Sequence, residues 1–447
     1  MQKKIRKIIF ILVLLGFIFF APLLLLKSQG IQFDFQQKRF VKSGGIFIST
    51  LTPSAEVWLD GKFKKNTNFV FNSVFMKNLL PKKYKIELKK QNYFSWQKTV
   101  EVKEGKVTEL RNILLVKKNI SFEILAEDIE NFWVSEDSRD LLIERTIDEK
   151  SNFLILDTFL KEEKEIFSEN SPKIETKTKL IAWNSTQKQI LFQKEEENFF
   201  VLDYSTFPAI QTFKFSLGKN NGKIVFNPAN EEEILFIQGN NLFRKNFVKN
   251  TKEEIFLSDV VWFEVQNGNL FLFSSSGFLS KTNYFLQKKE VLNKTPFLFN
   301  ENEDFKIKPS KEGLFFGLSK ELYYLTSDGD SERIFSDLKD FEISPDLERL
   351  SFWGGQEIWI FEEKKDTRLY FLNRFSEALS SLYWINPHYL IFNTGDDIRV
   401  SEISNNDYLN IFTIKTLKNP KIFFNKTNKK LYVLSGGFLF ASQEPIP

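Results

Sequence analysis

The chain has 447 residues, 42% of them hydrophobic, which is enough to build two or three cored domains. Its 62 basic and 58 acidic residues are mixed along the length and leave a formal charge of +4, so no basic domain points to nucleic acid. With no cysteine at all, a disulfide framework, a thiolate metal site and a lipid-modified N-terminal Cys are excluded.

The first element runs from Ile8 to Leu26, nineteen residues without a charged side chain. At about 1.5 Å per residue this helix is roughly 28 Å long, the thickness of a bilayer core. Lys3, Lys4, Arg6 and Lys7 precede it and only Lys27 follows closely. That asymmetry predicts a cytoplasmic N-terminus and an extracytoplasmic remainder. The apolar run is longer than the core of a cleaved secretory signal, and Pro22 with four leucines follows Ala21 where a cleavage site would stand. Residues 1–26 are therefore expected to be the cytoplasmic tip and a retained single-pass anchor in the cytoplasmic membrane.

Residues 27–43 are polar with scattered Phe and no sustained period, and read as a juxtamembrane linker. From Gly44 short apolar runs alternate with turn signals. Strands are expected at Ile46–Ser49 and Ala55–Leu59, with Asp60-Gly61 as a tight turn. Tyr84, Ile86 and Leu88 alternate with charged neighbours, as do Val100 and Val102, so each set falls on one sheet face. Gly105 and a strand over Val107–Leu115 complete a small β-sandwich over residues 44–116. The run from Gly45 through Thr52, Pro53 and Trp58 to Asp60-Gly61-Lys62, followed by Leu80-Pro81, Tyr84, Tyr93, Trp96 and Gly105, resembles a PEGA domain. That resemblance implies a surface-associated module without activity of its own, often tethered by an N-terminal helix. Lys65-Asn66-Thr67-Asn68, Lys82 and Asn92 depart from the family pattern of glycines.

From residue 117 to the end, one unit repeats: an aromatic-aliphatic strand, a polar turn and further apolar strands. The first turn residues are Ser135, Asn184, Asn227, Glu264, Lys308, Ser344, Asn386 and Asn425. A unit of three or four strands recurring at about 40 residues predicts a β-propeller. Eight copies imply eight blades, with seven the alternative count. The last copy is a strand short, and Ile120–Leu125 could supply it and close the ring. Ser344-Pro345-Asp346 before an apolar strand resembles the repeat of TolB-like and WD-type propellers.

Few residues suggest chemistry. His388, the only histidine, sits in the turn Asn386-Pro387-His388-Tyr389 and cannot make a metal site alone. Asp328, Asp330 and Glu332, and likewise Asp396-Asp397, lack the other ligands of a calcium loop and read as strand-joining turns. Trp133, Trp183, Trp262 and Trp384 share one repeat position, which favours inter-blade core over a sugar-binding surface. Lys426, Lys429 and Lys430 read as a solvated edge. No nucleophile elbow or phosphate loop occurs, so no catalytic, metal or cofactor residue is assigned and no cofactor is expected. The expectation is a mainly β, membrane-anchored, non-enzymatic scaffold presenting a propeller to a protein or envelope polymer. The alternative is a propeller hydrolase or lyase acting on envelope polysaccharide or peptide.

Overall fold

The computed structural model describes all residues except 1, 136, 148–149, 159–162, 166–177, 185, 206–210, 219–220, 267, 301–302, 304, 364–367, 405–407 and 447. The chain forms two compact units. One comprises residues 1–120 with Val400–Ile414, and the other Ser121–Arg399 with Lys415–Ile446.

In the first unit, helix α1 (Gln2–Ser28) contains the apolar run and Pro22. Its segment Ile5–Ser28 is long and apolar enough to cross a membrane, with none of it buried. Gly30 ends the helix with φ +77°, a conformation that carries a Cβ penalty in other residues. The expected linker is not irregular. It forms a hairpin of β1 (Ile31–Asp34) and β2 (Arg39–Lys42), whose turn is held by Asp34 Oδ1 accepting from the backbone of Gln36 and Gln37 at 2.8 and 3.1 Å. Its Phe-containing alternation is only four residues per strand, too short to register as a period.

The sandwich follows: β3 (Gly44–Thr50), β4 (Glu56–Leu59), β5 (Lys62–Asn66), β6 (Ser73–Leu79), β7 (Lys83–Lys89), β8 (Trp96–Glu101) and β9 (Val107–Ile113). One sheet has the order β6-β3-β9 and the other β5-β4-β7-β8. Ile46 and Ile48 from the first sheet pack on Val57, Ile86, Leu88 and Trp96 from the second. Asp60 and Gly61 both have positive φ, +48° and +75°, which suits the two-residue turn between β4 and β5.

The strands from Phe122 to Ser442 form a β-propeller. Among the described residues, eight four-stranded antiparallel sheets follow one another. Their first strands are Ile129–Val134, Lys179–Asn184, Asn221–Phe226, Trp262–Gln266, Phe305–Pro309, Asp340–Ile343, Leu379–Asn386 and Lys421–Phe424, numbered here as blades 1 to 8. First strands of successive blades touch, as between blades 2 and 3, 4 and 5, 6 and 7, and 7 and 8. They are therefore the inner strands around the ring axis. Aromatic and aliphatic side chains fill the seams: Phe273, Phe297 and Phe316 between blades 4 and 5, and Phe315, Phe352 and Phe361 between blades 5 and 6.

The repeat rests on turn chemistry. Ser135 Oγ donates to Asp137 at 2.6 Å and accepts from Asp140 N at 2.9 Å, and Ser344 makes the same pair of bonds with Asp346 and Arg349 N. Asn227, Asn386 and Asn425 instead accept from the backbone two residues on, at 2.8 to 3.0 Å. Glu264 and Lys308, expected as turn residues, lie inside inner strands. Without a Ser or Asn at that position the strand runs on, to Gln266 in blade 4 and to Pro309 in blade 5. The ring closes as expected. Strand β10 (Phe122–Ala126) pairs with the C-terminal strand Phe438–Ser442 in blade 8, matching Phe122 with Ser442 and Ile124 with Phe440.

Candidate functional site: the propeller axis

Polar side chains on the inner strands reach from blade to blade around the axis. Lys223 of blade 3 pairs with Glu264 of blade 4. Lys306 and Lys308 of blade 5 approach Glu342 of blade 6 at 3.5 and 3.6 Å, and Lys306 also donates to Phe341 O at 2.9 Å. Lys339 bonds Leu379 O in blade 7, Tyr383 OH donates to Ile422 O of blade 8 at 3.2 Å, and Lys421 donates to Phe132 O of blade 1 at 2.9 Å.

The charges concentrate around Glu342. Its carboxylate faces Lys306 and Lys308 and raises the phenol pKa of Tyr383, where burial is the larger cause. Lys426, in the turn after the blade 8 inner strand, keeps much of its surface exposed to solvent. Burial lowers its pKa, Glu342 opposes the shift, and Lys308 and Lys429 add to it. Lys426 feels the charges of Lys308 and Glu342, which meet between blades 5 and 6. Lysines thus outnumber the carboxylates Asp340 and Glu342, a composition suited to an anionic ligand. Lys421 has a pKa lowered mainly by burial, and its ammonium lies over the Phe132 and Trp133 rings at 5.0 and 5.8 Å.

Residues singled out from sequence fall as follows. Trp384 is fully buried, its Nε1 donating to Glu342 O at 3.0 Å, and Trp262 is buried in the seam between blades 4 and 5. Trp133 and Trp183 are half-buried against the cluster between blades 1 and 2, so all four belong to the core pattern. Asp328 and Asp330 flank Gly329 (φ +84°) in a tight turn, and Asp330 pairs with Lys294 at 2.9 Å. Asp396 accepts from Asn419 N at 2.7 Å, and Asp397 holds Thr416 and Arg399. Among the described residues no group of three His, Asp or Glu side chains is arranged to hold a metal ion. His388 lies half-buried in its turn, whose backbone is fixed by Asn386. His388→Ala should therefore change unfolding free energy by no more than about 1 kcal/mol in a denaturant titration.

A cavity of about 530 Å³ opens between blades 4 and 5, lined by Lys281, Glu290, Asn293, Lys294, Ser310 and Lys311 among others. Its polar groups are largely satisfied within the protein: Lys311 pairs with Glu348 at 2.6 Å, and Asn293 accepts from Leu279 N and donates to Gly277 and Thr295 carbonyls. The lysine-rich axis, where among the described residues no carboxylate forms an ion pair with Lys426, is the stronger candidate.

No protein-family model matches the sequence, and neither does any curated protein. Solved structures similar to this chain include the β-propeller domain of Cps50 (Swd1) from Myceliophteria thermophila, at 10% identity and a TM-score of 0.39 over 72% of this chain and 99% of that one. Hsv2 from Kluyvelomyces marxianus matches at 13% identity and 0.39 over 66% and 99%. An oligogalacturonate lyase in complex with manganese matches at 12% and 0.40 over 74% and 97%. At these values none carries an argument about function, and the assignment of the propeller rests on the eight sheets and their closure.

Proposed function

We propose that the chain is a membrane-anchored, extracytoplasmic binding protein. Its propeller takes an anionic partner, a protein or envelope polymer, at the lysine-rich end of its axis. The observation that carries this reading is the pair Lys306 and Lys308 on Glu342, together with Lys426, on which the charges of Glu342, Lys308 and Lys429 act. Helix α1 supplies the tether, and the charge asymmetry at its ends favours residues 27–447 outside. The sandwich serves as a spacer of PEGA-like type, supported by its two sheets and its Asp60-Gly61 turn. Recognition is favoured over catalysis because Asp340 and Glu342, the two carboxylates of the cluster, are both engaged by lysines.

Protease added to spheroplasts should digest the chain beyond residue 27, and protection until lysis would place the domains in the cytoplasm instead. Detergent-solubilised full chain should retain an envelope partner that the Lys308→Glu/Lys426→Glu variant releases. Equal retention by both proteins would remove the axis from the reading. The pH dependence has a defined sign. Because burial lowers the Lys426 pKa, its ammonium loses its proton before an ordinary lysine does as pH rises. Retention should therefore weaken on the alkaline side while most other lysines are still charged, and should strengthen as pH falls back through that range.

A further inference from the structure

The β1–β2 hairpin is two-faced. Cross-strand pairing matches Phe33 with Phe40 and Gln32 with Val41, so Phe33, Phe35 and Phe40 share one face while Asp34 and Val41 share the other. The second face is inward, with Asp34 and Val41 buried. The first is outward, with Phe33, Phe35 and Phe40 exposed by 38%, 82% and 57%. The three rings form one patch, Phe33 lying edge-on to Phe35 at 5.1 Å and to Phe40 at 5.2 Å between centroids. Three clustered phenylalanines turned to solvent call for an occupant.

The neighbouring helix says which. Gln29 N bonds Leu25 O and Gly30 N bonds Lys27 O, both at 3.1 Å, so the helix ends in a defined cap. Gly30 O then accepts from both the backbone N and Oγ of Ser43 at 2.7 Å, tying the helix exit to the far end of the hairpin. Lys27 marks the end of the apolar run, and Phe33 lies six residues beyond it, within about 20 Å even for extended chain. Lys27 at the helix exit and Lys38 and Lys42 of the hairpin are exposed, while the one acidic residue of the hairpin, Asp34, is buried. Clustered aromatic side chains with flanking lysines match the headgroup boundary of a bilayer, where apolar faces sit about 5–10 Å deep and cations meet anionic lipid.

The geometry points to the outer face of this hairpin as a second membrane contact. Phe33, Phe35 and Phe40 embed in the interface of the membrane that helix α1 spans, and fix the domains next to the bilayer. This rests on the reading of α1 as a membrane span. The test uses the full chain reconstituted in vesicles of mixed zwitterionic and anionic lipid. Because the chain has no cysteine, Gln36→Cys provides a single labelling site beside the patch. An environment-sensitive dye there should show blue-shifted emission and be quenched by lipids spin-labelled near the headgroup. Both effects should be lost when Phe33→Ser, Phe35→Ser and Phe40→Ser are added. Water-like, unquenched emission from a chain that floats with the vesicles would overturn the inference alone, as would quenching that survives the three serine substitutions. A chain that fails to float would overturn the membrane span and the inference together.

Discussion

Deleting residues 121–126 should lower the melting temperature of the full chain by about 10 °C or more and promote its aggregation. Strand β10 pairs through Phe122, Glu123, Ile124 and Ala126 with the C-terminal strand, with a register shift between Ile124 and Ala126. Two further bonds frame the closure, Gln443 N to Ser121 O and Ile129 N to Gly437 O, both at 2.9 Å. Losing several ladder bonds at about 1 kcal/mol each, together with the cover over Leu439 and Ala441, removes on the order of 5 kcal/mol. The effect exceeds the local sum in one respect. In this ring β10 is the outer edge strand of blade 8, and the truncated chain would instead expose the outer edge of Phe438–Ser442, which stays paired on its other side with Leu431–Ser435. Thermal unfolding by circular dichroism and light scattering checks both parts. A truncated chain with the parent melting temperature and no added scattering would show that the ring does not depend on this strand.

Much of this fold was legible because its rules are local. Asp60-Gly61 announces a tight turn through backbone sterics, Tyr84-Ile86-Leu88 announces a buried sheet face through alternation, and Ser135, Ser344 and Asn425 announce blade turns through bonds to residues two to five positions away. Even the closing strand was readable as one strand missing at the C-terminus and one spare at the start. What escaped was set by distance along the chain. Strand β5 is exposed at every position and gives no alternation to detect. Glu264 and Lys308 looked like turn residues from their spacing, but they are inner-strand residues whose partners, Lys223 and Glu342, lie 41 and 34 positions away in neighbouring blades. Lys426 reads as a solvated edge and is exposed, but the charges of Lys308 and Glu342 that act on it come from other blades and leave no local signal. Nor does anything local in residues 400–414 show that they join the unit of residues 1–120.

Glu402→Ala should destabilise the first unit by about 3–5 kcal/mol, because it strands a buried cation. Within that unit Glu402 and Lys98 have side chains only 7% and 8% exposed, with Nζ 3.3 Å from Oε1. The same carboxylate accepts from Trp96 Nε1 at 2.7 Å and from Asn410 through its backbone N at 3.3 Å and Nδ2 at 3.0 Å. Lys98 also donates to Ser404 Oγ at 2.7 Å, and Asn410 brackets the backbone of Gln97 from both sides at 3.1 and 3.0 Å. Phe94 stacks on Phe412, centroids 5.0 Å apart, in the same unit. Removing the carboxylate leaves the indole N–H, the ammonium and the Asn410 amide without their shared acceptor, and Ser404 alone cannot neutralise the ammonium. The pair's own net worth is a different quantity, since two desolvated charges often do no better than apolar side chains of similar volume. The Lys98→Met/Glu402→Leu double variant should therefore recover most of the stability lost by Glu402→Ala. Urea unfolding of the full chain followed by tryptophan fluorescence reads both. A single variant as stable as the parent would show that the cluster does not hold residues 400–414 in place, and a double variant no better than the single would show that the loss comes from the cavity rather than from the orphaned charge.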